Sequence, residues 1–462
     1  MSRAEATVRD IARRLATAST ATWVFRLALV GAVLAYYAVG RQQWFTRDDW
    51  ASVISRERVL ETQGWQHWLF DPQDGHWLTI PFLIFAATRR LFGLDSYWPF
   101  LIPTLVAHLG SVCLVRVICL RNRVSPWTTT MVCTLLLVFG SGWENLVFAI
   151  QICYLLSLLV FLAQVVLVSH DGPADRRDYM GAGLAVIGMM SSGFGPIFLV
   201  GVGVLLALRQ RWKPLLIAVV PQGLAYLWWL VTWSSDRAAD ARPGNQSLLP
   251  AFVVRGVSDT FAAMTTLPGL AGIAILATLA VSMQSRHGRP TQTTMLALCA
   301  TVAVMFSAIG FQRVGFGVEI ASSSRYLHMA AMIIAPAFAL MIDELHRISR
   351  EVRLAGLIVV GLSVGANVSI LRQQSASWAH AVRIERDTLE LIAGSGLGAA
   401  ADPLRRPFPN SPDVEVRSIP WLVEQGAIVP RVPADVAEVA RVRQALGLPP
   451  DVAVEPAAPA GG

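Results

Sequence analysis

ATWVFRLALVGAVLAYYAVG, residues 21–40, runs directly into RQQWFTRDDW, residues 41–50. The first half has the length of a membrane-crossing helix, which takes about 20 apolar residues. Arg3, Arg9, Arg13 and Arg14 precede it and give the charge asymmetry of a signal peptide or a signal anchor. Its length and its closing Tyr36-Tyr37 predict an anchor that stays in the protein, although Ala38 to Gly40 is a weak small-residue cleavage site. The second half opens a polar, Trp-rich stretch that continues to Gly75 and holds two adjacent carboxylates, Asp48 and Asp49.

Outward from this stretch the pattern repeats. Of 462 residues 54% are hydrophobic and 15% charged, with a mean hydropathy of +0.51. Soluble domains carry roughly 25% charge, so the composition excludes a soluble enzyme, a disordered scaffold and a disulfide-knit secreted module. Further apolar runs lie near 98–119, 126–141, 146–168, 179–192, 195–208, 214–233, 267–284, 293–311, 326–342 and 354–371. The expectation is an all-α polytopic membrane protein of about 11 transmembrane helices. The net charge of +7 comes from arginines clustered between the runs, a topology signal rather than a nucleic-acid footprint. Cys113, Cys119, Cys133, Cys153 and Cys299 all sit inside apolar runs without a C-x-x-C pair, which suggests neither a disulfide framework nor a thiolate metal site.

Charge parity chooses the sides. His76 to Leu91 is apolar but short, contains Pro81 and ends in Arg89-Arg90. If it lies on the surface, the clusters at Arg121 and Arg123, Arg176 and Arg177, Arg209 to Lys213, Arg286 and Arg289, and Arg347 to Arg353 share the N-terminal side; if it spans, all of them are external. Short basic loops favour the cytoplasm, so a surface helix is expected. The same reasoning splits 179–208 into two short spans turning at Ser191-Ser192-Gly193-Phe194-Gly195-Pro196, with a broken or re-entrant pair as the alternative. The protein is therefore expected in the inner (plasma) membrane with its N-terminus cytoplasmic and its C-terminus extracytoplasmic. A transmembrane domain, 1–371, would carry outer loops 41–97, 234–266 and 312–325, followed by a hydrophilic tail, 372–462, whose end at 456–462 has a disordered composition. The cytoplasmic loops hold no P-loop and no dinucleotide motif, which puts the chemistry on the outer face, away from nucleotides.

The carboxylate pair can be an interfacial Asp-Asp balanced by Arg47 beside belt tryptophans, or it can carry chemistry. Its context continues through a plausible amphipathic surface helix, Ser52 to Leu69, then Asp74-Gly75-His76-Trp77, Ile80-Pro81 and Arg90-Leu91-Phe92-Gly93-Leu94. His108 follows within the next span, and a short outer turn, Gly142-Trp143-Glu144-Asn145, comes after one more. In this order the chain resembles the GT-C superfamily of membrane glycosyltransferases, in particular its protein O-mannosyltransferase-like branch. The resemblance covers roughly residues 20–210 and, more loosely, Ser324-Arg325-Tyr326. It implies a GT-C fold, a polyprenyl-phosphate sugar as donor, and the first acidic residue, Asp48, as the base. Where relatives often carry a Ser-Lys-Glu-like turn after the fifth span, this chain has Ser191-Ser192-Gly193.

Residue types fit such a transfer independently of family. It needs a base near the acceptor hydroxyl and positive charge near the departing phosphate. Asp48 or Asp49 can be the base. Arg325 and Arg313 can hold the phosphate with a guanidinium fork, or each can be a snorkelling interfacial arginine. His76 can orient the acceptor or bond the Asp pair, or it can be structural at a helix start. Glu144 can steer a metal or an acceptor, or simply complement a helix N-terminus. Tyr326 accompanies Arg325 as a substrate-binding candidate, and His108 is expected to make an interhelical hydrogen bond. A divalent metal is possible, but no His-rich or Cys-rich set indicates one. The expected partners are the donor, an acceptor hydroxyl on a cell-envelope glycan, lipid or protein, and membrane lipids. Two rivals remain: a transporter or flippase of a lipid-linked sugar, which would want ionisable residues near the midplane, and an inactive GT-C relative serving as an assembly subunit.

Overall fold

The computed structural model describes residues 17–234, 244–345 and 348–449. The N-terminal arginines, the middle of the 234–266 loop, Arg347 and the 456–462 segment lie outside the described residues. Within them the only β pairing is an isolated bridge between Gln73 and His76. The first helix, α1 (Ala18–Gly40), is followed by α2 (Arg56–Gln63), α3 (Trp65–Phe70), α4 (Thr79–Phe92), α5 (Trp98–Arg121), α6 (Pro126–Leu137), α7 (Ile152–Val168), α8 (Arg176–Met189) and α9 (Phe194–Leu208). The second half contains α10 (Trp212–Thr232), α11 (Leu249–Thr265), α12 (Ala271–Gln284), α13 (Arg289–Arg313), α14 (Ser324–Glu344), α15 (Arg350–Ser395), α16 (Ile419–Glu424) and α17 (Val436–Leu446).

Every apolar run is helical. Among the described residues seven helices are long and apolar enough to cross a membrane, namely α1, α5, α7, α10, α13, α14 and α15, and α6, α9 and α12 are shorter apolar helices. Helix α8 is held at its start by a capping box between Asp175 and Asp178. The expected turn between α8 and α9 is present at residues 190–193, where the Ser192 hydroxyl meets Ser157 at 2.9 Å and accepts from the Phe194 N–H at 3.1 Å. Helix α14 is the hub: 94% of its apolar window is buried, as expected of a helix apolar all round.

Contacts sort the helix ends into two faces. On one, Gly40 abuts Trp98, the Ile80 N–H reaches the Met190 carbonyl at 3.1 Å, and the Trp229 indole donates to the Phe70 carbonyl at 2.8 Å. On the other, Arg211 pairs with Asp178 (3.0 Å), Arg353 with Asp343 (3.0 Å) and His287 with Glu344 (3.0 Å). Helix α4 has both ends on the first face. Its start lies against Met190, and its end, at Arg89, pairs with Glu57 and covers the Trp421 ring of α16 at 5.8 Å. With only 14 residues, about 21 Å of helix, it lies along that face and does not join the two.

Two features differ from the expected layout. Residues expected as outer loop form α11, which packs against α13 and α14 with Phe252, Gly256, Thr260, Phe261 and Met264 buried. A side chain at Gly256 would overlap the Phe306 ring. The hydropathy of this helix is diluted by Arg255 and Asp259, which neutralise each other at 2.6 Å. Second, α15 runs unbroken for 46 residues through the expected boundary at 371, so the tail continues the last apolar helix instead of starting after a linker.

Candidate active site

The Asp48-Asp49 turn is fixed from four directions. Arg47 adopts φ +48°, a conformation uncommon for a residue with a side chain, and its N–H donates to the Ser411 hydroxyl at 2.8 Å while its guanidinium lies 4.6 Å over the Trp378 ring. Thr46 donates its hydroxyl to Glu385 at 2.7 Å. The Asp49 carboxylate, fully buried, accepts from the Tyr97 hydroxyl (2.8 Å), the Ile150 N–H (3.0 Å) and the Thr46 N–H (3.4 Å). Tyr97 in turn accepts from the Ala149 N–H at 2.7 Å. Burial pushes the Asp49 carboxyl well above the usual range, against the pull of these three donors.

Asp48 points the other way, into a cavity of about 570 Å³. Asp74, His76, Ser192, Arg313 and Arg325 face the same space, and Asn410 between Pro409 and Pro412 closes it from the tail. That tail loop is tied down by Ser411 on Arg47 and by a hydrogen bond from the Ser55 hydroxyl to Asp413. Burial, then the carboxylates of Asp74 and Asp413, raise the Asp48 carboxyl to about 6, with Arg325 and Arg47 pulling down. A carboxylate poised there is a competent proton acceptor at neutral pH. Asp74 and Gly75 both have positive φ (+50° and +75°), the type of turn an Asp-Gly pair favours, and the bridge between Gln73 and His76 closes it. His76 packs on Gly193, where a Cβ would lie 2.5 Å from the imidazole Nδ1.

A second cavity, about 440 Å³, shares Asp74, His76, Tyr154 and Arg313 with the first and continues between α9, α10 and α13. Phe194, Ile197, Tyr226, Leu230, Ile309 and Tyr326 line it. The polar cavity thus passes into an apolar groove with Arg313 at the junction. Arg325 stacks 5.3 Å from the Tyr326 ring, and its Nε, though buried, has no hydrogen-bond partner. Its carbonyl accepts from Asn145 Nδ2 at 3.1 Å, and the same amide reaches His328 at 3.0 Å. His328 meets His108 at 3.2 Å, and His108 meets the Tyr36 hydroxyl at 3.0 Å, so His108 makes interhelical bonds to α1 and α14.

Of the residues proposed from sequence, Asp48, His76, Arg313 and Arg325 share the cavity, and Tyr326 lines the groove. Asp49 lies behind Asp48 and does not face the cavity. Glu144 is not among the lining residues; it accepts from the Ser324 hydroxyl at 2.8 Å and anchors the start of α14. Asp74, Ser192, Gln151 and Asn410 are additions that sequence reasoning did not assign. The Asp-Gly turn was a usable signal for Asp74; nothing in the sequence around Asn410 points to the cavity. Among the described residues the one group of three metal-capable side chains drawn together is His170, Asp175 and Asp178, on the opposite face, where Arg177 and Arg211 already bond to its carboxylates.

The fold defines the class: an all-α, polytopic membrane protein. Its fold is similar to that of the crystal structure of ArnT from Cupriavidus metallidurans in the apo state, at a TM-score of 0.53 and 12% identity, over 92% of this chain and 91% of that one. No family model matches the sequence, and no curated protein does.

Proposed function

We propose that this protein is a multi-pass membrane glycosyltransferase that moves a glycosyl unit, hexosyl or pentosyl, from a polyprenyl-phosphate sugar to an acceptor hydroxyl of a cell-envelope glycan, lipid or protein. The observation that carries the reading is the single cavity in which the Asp48 carboxylate faces Arg313 and Arg325 and which continues into an apolar groove. A polyprenyl-phosphate sugar has the matching order of parts: a polar sugar, an anionic phosphate and a hydrocarbon chain.

In this reading Asp48 takes the proton of the acceptor hydroxyl, and that oxygen forms its bond to the anomeric carbon. The bond from that carbon to the phosphate oxygen breaks, and the polyprenyl phosphate leaves with the electron pair. Arg325 and Arg313 hold the charge that develops on the phosphate. One direct displacement inverts the anomeric centre. Asp49 holds the turn that aims Asp48, and His76 lies beside the acceptor position. The ordered motifs from Asp48 to Glu144 support the O-mannosyltransferase-like branch, and the likeness to ArnT supports a lipid-linked donor.

The cavity face is the extracytoplasmic one in this reading, because the described arginine clusters gather on the other. That leaves the N-terminus in the cytoplasm, the C-terminus outside, and the protein in the inner (plasma) membrane. The test is transfer by purified protein from a short-chain polyprenyl-phosphate sugar to envelope acceptors, with lipid analysis of cells lacking the protein. Accumulation of the lipid-linked sugar in the outer leaflet is expected; accumulation in the inner leaflet would overturn transfer in favour of a flippase. Orientation is checked separately by introducing Cys at Arg123 after removal of the native cysteines. Labelling by an impermeant reagent from outside would invert the arrangement.

A further inference from the structure

The helices that build the Asp48 cavity have other ends. Helix α5 runs from Trp98, beside Tyr97 and Asp49, to Arg121; α7 from Ile152 to Val168; α9 from Phe194 to Leu208; and α13 from Arg289 to Arg313, so all four deliver one terminus to each face. At 24 residues α5 separates the two by about 36 Å. At the far ends lies a distinct cavity of about 380 Å³, lined by four arginines, Arg121, Arg123, Arg177 and Arg209, against one carboxylate, Asp171.

Its groups are not spent on one another. The Arg209 side chain is 8% exposed, donates from Nη2 to the Pro290 carbonyl (3.0 Å) and Thr294 hydroxyl (2.9 Å), and leaves its buried Nε without a partner. Ser169, also lining, has a buried hydroxyl without a partner. Asp171 is 3.9 Å from Arg209 and 85% exposed, too distant and too hydrated to neutralise it. Arg121 uses Nη1 on the Val166 carbonyl at 2.6 Å. Arg177 is engaged by Asp175. Of the two lining histidines, His170 is engaged by Asp178 and Arg211, and His287 by Glu344. The first two turns of the 25-residue α13 border the cavity through Pro290, Thr291 and Thr294, and add the positive end of its dipole. Burying a guanidinium with an unused N–H is costly unless an acceptor meets it.

We propose that this cavity binds a phosphate-bearing anion, supplied by the headgroup of an anionic phospholipid in that leaflet or by free phosphate. Guanidinium groups at the ends of membrane helices suit the phosphate layer of a bilayer. Such a ligand would clamp α5, α7, α9 and α13 together at the ends remote from the Asp48 cavity. The inference is independent of the transferase reading, since it uses none of its residues.

The test uses the full-length protein. Thermal unfolding is followed in nanodiscs of phosphatidylcholine with and without phosphatidylglycerol, and in detergent with and without inorganic phosphate. Retained lipid is weighed by native mass spectrometry. Phosphatidylglycerol should raise the midpoint if the source is the headgroup; stabilisation by inorganic phosphate would identify free phosphate, and either outcome supports the site. Each basic side chain near an anionic surface is worth about fivefold in affinity, so Arg121→Gln with Arg123→Gln should weaken binding about 25-fold. Asp171→Asn, at an exposed position, should strengthen it. Equal midpoints under all conditions, or equal retention by the wild type and the double variant, would overturn the proposal.

Discussion

Under the proposed mechanism, Asp48→Asn separates catalysis from folding. The amide keeps the volume but cannot take a proton, and loss of a general base costs about 10²- to 10⁴-fold in turnover, equivalent to about 2.7–5.5 kcal/mol in the barrier. Stability should move the opposite way or not at all. The folded carboxyl is raised to about 6, so between its unfolded value and 6 the native state holds more protons than the unfolded one. Stability attributable to this group therefore falls as pH rises through that window, and above 6 the charge is a burden on the fold. Asn removes the burden, so the unfolding midpoint at pH 7.5 should stay equal or increase. The assay is transfer from a short-chain polyprenyl-phosphate sugar at equal amounts of folded protein, with the wild-type kcat/KM followed from pH 5 to 8. An acid limb near 6 is expected, with activity falling about tenfold per unit below it. Near-normal turnover in Asp48→Asn would refute the role of Asp48. A lowered midpoint would show that Asp48 holds the turn together, as Asp49 does.

Three further outcomes follow from the same geometry. Asp74→Asn removes the carboxylate whose charge raises Asp48 most, so the acid limb should shift below 6; an unmoved limb would disconnect the two groups. Arg325→Lys should keep charge but lose the fork and reduce transfer about tenfold, and Arg325→Ala about 100-fold; equal activity of wild type, Lys and Ala forms would leave Arg325 a snorkelling anchor. Gly193→Ala places a methyl 2.5 Å from His76 Nδ1, so the imidazole must shift; KM for the acceptor should rise several-fold with little change in midpoint, and unchanged kinetics would remove His76 from the acceptor position.

The transmembrane helices were legible because hydropathy is a local property, summed over consecutive residues. Helix α11, which is not among the long apolar helices, was not legible, since Arg255 and Asp259, paired at 2.6 Å, lower its hydropathy. Residues lining the cavity split along similar lines. Asp48 could be read from its place just beyond the first span, and Arg325 from its place at the head of α14. Asn410 could not, because its place over the cavity depends on Ser411 meeting Arg47 across 364 positions of sequence. Glu144 shows the converse: an acid in a short turn beside a helix start invites a functional role, yet its partner is the hydroxyl of Ser324, the first residue of α14 and the neighbour of Arg325.

The two carboxylates, adjacent in sequence, do different work because of helix geometry. Successive side chains on a helix diverge by about 100°, and the turn beginning at Asp48 sends one toward the cavity and the next into the protein. Asp49 then bonds to Tyr97 at the head of α5 and to the Ile150 N–H just before α7, so a single buried carboxylate fixes the segment that follows α1 to both of those helices. The positive φ at Arg47 gives the chain the sharp change of direction that this double attachment demands. A lone acid at either position could supply the base or the anchor but not both. In this arrangement the pair is therefore not two redundant candidates: the charge of Asp48 stays available because Asp49 satisfies the packing and hydrogen bonds that hold the turn in place.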